Sequence, residues 1–253
     1  MKYIQCWSGG KDSTANIILA HLNGEPHDKI IMSEVMFNKE ISGELPEHMW
    51  WVHNIAVPLF KEWGFDVEIL HAKETFMDCF NLVNQGRKNP SRKGKKYGFP
   101  MSGKCLINTR CKVKPIKDYL GEIKEDYIQY VGIAIDEPTR LETMHGNPTK
   151  VSLLEKYGYT EKMAYDLCKE YDLLSPMYEF SKRGGCWFCP NARDCQLRNL
   201  RDNHNGLWQI LLELEDEPNL VGDVWNTRSR ISIHDKEVQF QYEDAQITIF
   251  DFI

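Results

Sequence analysis

The sequence predicts an α/β fold: a mostly parallel sheet wound with helices on both faces, followed by a helical or irregular C-terminal appendage. Three observations carry this. Apolar runs with strand character recur at 3–7, 29–37, 65–70 and 127–135. Stretches with helical apolar spacing separate them, near 15–22, 46–63 and 115–123, the alternation expected of a parallel sheet covered on both sides. A glycine turn joins the first strand to the first helix, and in such sheets ligands collect beyond the carboxyl ends of the strands.

That turn is Ser8-Gly9-Gly10-Lys11-Asp12-Ser13-Thr14. Paired glycines let backbone N–H groups approach an anion closely, the helix start adds orphan donors and partial positive charge, and Lys11 adds a full charge. A helix entry capped by Ser8 or Asp12 needs neither the glycines nor the lysine. No glycine stands five residues before Gly10-Lys11, so the segment is not a Walker loop.

The segment resembles the S-G-G-K-D-S signature of the PP-loop ATP pyrophosphatases. The resemblance implies an adenine nucleotide α-hydrolase-like fold in which Ser8 to Thr14 hold the pyrophosphate part of ATP while a substrate oxygen attacks the α-phosphorus. It implies catalytic parts for Lys11, Asp12 and Ser13, with Mg2+ bridging phosphate oxygens. Glu44-Leu45-Pro46-Glu47 resembles the acidic proline turn of the phosphoadenosine-phosphosulfate-reductase-like, sulfur-transfer branch, in which the preceding strand end, here Val35 to Phe37, lies against the adenine. The same four residues also suit a simple helix start. Gly132-Ile133-Ala134-Ile135-Asp136-Glu137-Pro138-Thr139-Arg140 looks like another segment of that branch, implying that Gly132 lets the backbone approach the nucleotide and that Arg140 faces its phosphates. Asp136 is a candidate to help hold magnesium.

Composition sets outer limits. At 42% hydrophobic and 27% charged residues, the chain reads as an ordinary soluble globule. No apolar run has membrane-spanning length, and the opening residues do not form a signal peptide, so a cytoplasmic protein with no membrane partner is expected. The net charge of -6 conceals an asymmetry, because residues 79–115 contain no Asp or Glu but ten Lys and Arg. Arg87, Lys88, Arg92, Lys93, Lys95, Lys96 and Tyr97 fall in a Gly/Pro-rich basic loop at 85–104. Its cations suit successive phosphates and Tyr97 and Phe99 suit base stacking, so RNA, DNA or another polyanion is the expected partner. A solvated charged loop is the plain alternative.

Eight cysteines in such a protein read as thiols, ligands or catalysts rather than disulfides. Arg183-Gly184-Gly185-Cys186-Trp187-Phe188-Cys189-Pro190 carries a C-x2-C spacing that brings two sulfurs to one metal, and Cys195 is the natural third ligand. Cys105 and Cys111 are the candidates for the fourth, and the resemblance, which implies a cysteine just before the following helix, makes Cys105 the preferred one. Cys111 is either the alternative ligand or a persulfide-carrying, redox-active thiol whose thiolate Arg110 and Lys112 would favour. Four thiolates suit a [4Fe-4S] cluster or Zn2+; resemblance to cluster-containing sulfur-transfer relatives favours the cluster. Cys6, Cys79 and Cys168 read as buried small hydrophobes, and the eight histidines show no ligand spacing.

Two regions are expected: a nucleotide-binding α/β domain over 1–150, and a helical region with the cysteine site over 151–253, ending in a short hairpin pairing 238–242 with 247–250. The function expected is ATP-dependent adenylation, releasing pyrophosphate and activating a nucleic-acid acceptor for sulfur transfer, with a sulfur-donor protein as a further partner and an oligomer compatible with the sequence. One alternative is a reductase acting on adenylyl sulfate or its 3'-phosphate, against which no cysteine stands near Ile253. Another is a nucleotide- and nucleic-acid-binding subunit of a DNA-modification or defence assembly.

Overall fold

The computed structural model describes residues 1–100 and 105–250, the last four by backbone alone; Lys104 of the expected basic loop lies outside them. In chain order the elements are β1 (Lys2–Trp7), α1 (Lys11–Asn23), β2 (Lys29–Glu34), α2 (Pro46–Trp51), α3 (Val57–Glu62), β3 (Val67–His71), α4 (Phe76–Phe80), α5 (Lys114–Glu122), β4 (Tyr127–Tyr130), α6 (Pro138–His145), β5 (Lys150–Val151), α7 (Leu153–Lys156), α8 (Glu161–Glu170), α9 (Asp194–Asn203), α10 (Asn205–Glu215) and α11 (Ile233–Phe250). The five strands form one parallel sheet in the order β3-β2-β1-β4-β5, with Ile4 opposite Lys29 and Gln129. A π-helical turn over Val52–Ala56 joins α2 to α3 without a break.

Alternation along the strands sends apolar side chains to both faces, which is why the sheet must be covered twice. Trp7, Ile30, Met32 and Tyr130 pack with α1, α3, α7 and α8 in the main core, whereas Ile4 and Ile31 meet Leu120 of α5 on the other face. A second core lies beyond the strand ends. There Phe37, Phe76, Phe80, Phe99, Trp187, Phe188 and Trp225 gather with α9, α10 and α11, the rings of Phe76 and Phe188 lying 4.0 Å apart. Among the described residues no helix is long and apolar enough to cross a membrane.

Three boundaries differ from expectation. Residues 150–157 begin as the edge strand β5, because Lys150 and Val151 pair with Gln129 and Tyr130 before the Ser152 side chain caps α7. Those elements and α8 pack into the main core, so residues 153–173 belong with the sheet. The expected hairpin at 238–250 is instead part of α11. Glu215 accepts from the amides of Ile233 and His234 at the helix start, and Gln239–Glu243 and Gln241–Glu237 bond at helical spacing. Of the alternating apolar residues that suggested a strand, Phe240 is buried while Val238 and Tyr242 are exposed.

His27, in the turn before β2, stacks on Phe65 at 4.3 Å and neither ring nitrogen has a hydrogen-bond partner. Burial pulls its pKa down to about 4. The unfolded chain therefore binds a proton below about pH 6.5 that the folded chain refuses, so stability rises with pH from about 4 to 6.5, by at most about 3 kcal/mol. Urea midpoints across that window should show the rise, and His27→Phe should flatten it.

Candidate functional site

The Ser8–Thr14 segment leaves β1 at its carboxyl end and turns into α1 through Gly9, at φ +70°, and Gly10, which is extended. Ser13 closes the loop on itself: its Oγ accepts from the Ser8 amide at 3.1 Å, lies 3.0 Å from Ser8 Oγ and donates to the Gly10 carbonyl at 3.0 Å. Thr14 is buried and accepts from Trp7 Nε1 at 2.9 Å, so its hydroxyl serves packing. Asn16, on the next turn, donates to Gln5 at 2.7 Å and accepts from the amides of Leu153 and Leu154. This buried network fixes the helix against the strand and α7.

Two close approaches hold the loop from either side. A Cβ on Gly9 would lie 2.4 Å from the His48 ring, and one on Gly132 would lie 2.5 Å from the Asp12 carbonyl carbon and the Ser13 nitrogen. His48 comes from α2 and bonds Ser175 through Nδ1 at 2.8 Å; burial lowers its pKa and keeps the ring neutral. Its part is invisible to sequence spacing because it acts on backbone across the chain.

Lys11 Nζ lies 2.8 and 2.9 Å from the Asp12 carboxylate and 3.3 Å from Glu161. Burial opposes its charge, but the Asp12 hydrogen bond and the charges of Asp12 and Glu161 leave its pKa raised. Carboxylate oxygens of Asp12, Glu137 and Glu161 lie within 4.8 Å of one another. Burial, reinforced by Glu161 and Glu137, raises Asp12 despite Lys11, and a divalent cation here would relieve that repulsion. Asp136 takes another part, accepting from the Glu161 amide at 2.9 Å at the start of α8. Arg140 is exposed and pairs with Glu137 at 2.5 Å, one step from the triad.

The Tyr178 hydroxyl accepts from the Lys11 amide at 2.8 Å. Beside it opens a cavity of about 840 Å³ lined by Lys11, Asp136, Glu161, Tyr165, Arg193 and Cys195 among others, large enough for a nucleotide. Val35 and Phe37 are not on it. Residues 36–43 fold back, with Phe37 N donating to Ile41 O at 2.8 Å, and the Phe37 ring packs against Phe76 and Trp187. The Phe37 ring is thus part of the second core.

The cysteine turn is clamped on two sides. Trp187 donates through its amide to Gly43 O and through Nε1 to Ser42 O, both at 2.9 Å, while Trp225 and Asn226 donate to the carbonyls of Phe188 and Pro190. Cys105, Cys186 and Cys189 line one cavity of about 290 Å³ together with Val35 and Lys112. Burial and Glu44 push the Cys186 thiol well up against the pull of Lys112, and burial raises Cys189. Cys195 does not join them: it is exposed on α9 and faces the larger cavity.

Cys111 departs from the expected thiolate. It is fully buried, 4.0 Å from Cys79 Sγ, and that contact with burial raises its pKa strongly. The neighbouring cations are engaged elsewhere, Arg110 with Glu74 at 2.8 Å and Lys112 with Glu44 at 4.0 Å.

The described part of the basic loop is pinned at 94–98. Lys96 and Val221 exchange backbone bonds with the 219–221 segment and Lys96 respectively, and Tyr97 and Gly98 donate to the carbonyls of Leu82 and Phe80. Lys96 pairs with Glu217 at 2.6 Å. Arg87, Lys88, Arg92, Lys93 and Lys95 stand on the same loop, and Tyr97 is exposed at its end.

Neither a protein-family model nor a curated protein matches this sequence. Among solved structures the chain is similar to the U34-tRNA thiolase NcsA from Methanococcus maripaludis with its [4Fe-4S] cluster, at TM-score 0.40 and 17% identity, over 85% of this chain and 72% of that one. At that degree the likeness is one of outline.

Proposed function

We propose that the protein is an ATP-dependent adenylating enzyme that prepares a nucleic-acid acceptor for sulfur transfer. The observation that carries this is the Ser8–Thr14 loop, a self-closed backbone cradle whose lysine meets three converging carboxylates, with Lys11 and Glu161 lining a nucleotide-sized cavity. Loop amides and Lys11 bind the β- and γ-phosphates, and Asp12, Glu137 and Glu161 are the residues that would hold Mg2+. An acceptor oxygen forms a bond to the α-phosphorus as the bond to pyrophosphate breaks, with Lys11 stabilising charge on the leaving group. Sulfur from a donor then displaces AMP. The test is product analysis: Mg-ATP and an acceptor RNA should give AMP and pyrophosphate, and release of ADP and phosphate would sink the assignment.

Cys105, Cys186 and Cys189 are an all-sulfur donor set. Lining one cavity, they suit a [4Fe-4S] cluster, which would supply an iron able to bind or activate sulfur. Protein purified without oxygen is expected to contain iron and sulfide. Cys186→Ser should lose most of both and Cys195→Ser should keep them; a colourless wild type holding zinc would refute the cluster.

A further inference from the structure

Two adjoining cavities, the first sharing Pro100 and Ile107 with the cysteine cavity, have no part in the chemistry above. One, of about 390 Å³, is lined by Asn84, Lys88, Arg92, Tyr97 and Phe99 among others. Its neighbour, of about 460 Å³, is lined by Arg92, Tyr97, Phe99, Asp223, Thr227 and Arg228 among others. Arg92, Tyr97, Phe99 and Val221 wall both. From these we infer that the ridge between them is a docking site for two consecutive unpaired nucleotides, one base on each side of Tyr97. The inference rests on the nucleic-acid acceptor proposed above and adds the 219–230 segment, which the basic sequence tract does not contain.

The ridge is rigid where stacking needs rigidity. Residues 96–98 are bonded on one side to Leu82 and Phe80 and on the other to 219–221, with Lys96 N to Asn219 O at 2.9 Å and Val221 N to Lys96 O at 2.8 Å. Beneath it Phe99 is buried edge-on against Phe80 at 5.4 Å. Tyr97 is 43% exposed, an aromatic face held out to solvent. Such a ring offers its π-face to any base, and cations beside it meet the phosphates on either side. Lys88 and Arg92 supply charge at the first cavity, and Arg92 and Arg228 at the second.

The second cavity also holds a carboxylate. Asp223 is bound by Arg230 at 2.6 Å, and that hydrogen bond, with the nearby Lys95 charge, holds its pKa down. Arg230 lines the same cavity and holds both Asp223 oxygens, which leaves their remaining lone pairs to accept from an exocyclic base amino group. Cations, an aromatic wall and a hydrogen-bond acceptor side by side fit a base with its phosphates against the arginines. An acidic peptide would meet the cations but leave the Tyr97 ring without a stacking partner.

The test is fluorescence anisotropy of a labelled single-stranded RNA 12-mer, and its DNA counterpart, with the full chain. Tyr97→Ala and Arg228→Ala should each weaken binding at least about fivefold, with unchanged melting temperatures as the check on folding. Removing two adjacent bases from the oligonucleotide should erase the effect of Tyr97→Ala while leaving that of Arg228→Ala. Wild type that binds neither oligonucleotide would overturn the nucleic-acid acceptor itself. Wild type that binds while both variants bind equally well would overturn this site and leave the acceptor standing.

Discussion

Replacing Lys11 by Met is expected to cut pyrophosphate release at least about 100-fold, the scale for removing a preorganised charge aimed at a leaving group. The ammonium lies within 3.3 Å of both Asp12 and Glu161, so the substitution also leaves three carboxylates facing one another without their cation. Asp12 is already raised by burial and by its acidic neighbours, and it should rise further. Divalent cation binding in the variant should therefore need higher pH than in wild type, since the carboxyl must lose its proton to serve as a ligand. Initial rates of pyrophosphate release and Mg2+ titrations at several pH values measure both effects. Activity within threefold of wild type would remove Lys11 from the chemistry.

The second large effect is expected at Gly132. An added methyl group there meets backbone, the Asp12 carbonyl carbon and Ser13 nitrogen at 2.5 Å and the Asp12 oxygen at 2.7 Å, and backbone at the start of a packed helix has nowhere to go. Gly132→Ala should cost about 3 kcal/mol or more of stability and displace the anion cradle, so that ATP affinity falls with it. Gly121→Ala is the matched control. That glycine lies within α5 with open space around the new atom, and alanine there should be neutral or stabilising by up to about 1 kcal/mol. Urea midpoints of the two variants should move in opposite directions or differ widely; equal shifts would mean that the close approach at Gly132 is not real.

What could be read from the chain alone was what local pattern encodes. Strand runs, the helices between them and the Ser8–Thr14 turn each depend on residues near one another in sequence, and the parallel sheet follows from their alternation. The residues that shape the site from a distance left no local trace. His48 lies against Gly9 from another helix, Glu137 and Glu161 reach Asp12 from two different elements, and Tyr178 reaches the Lys11 amide from 167 residues away. The packing of the Phe37 ring is likewise set by distant residues, because the fold back over 36–43 brings it to Phe76 and Trp187. At α11, alternating Val238, Phe240 and Tyr242 imitate a strand, and the cap from Glu215 decides for helix.

Trp187 hangs from Ser42 and Gly43, and Gly43 in turn donates to the carbonyl of Val35, one position beyond the last residue of β2. The cysteine turn is therefore suspended from the end of a central strand of the sheet rather than from a module of its own. A chain cut after Leu174 would lose the lid over Phe37, Phe76 and Phe80 and present a greasy face to water, so the two cores should melt together in one transition. Shuffling the thiol region onto another sheet would fail unless residues 35–43 travelled with it.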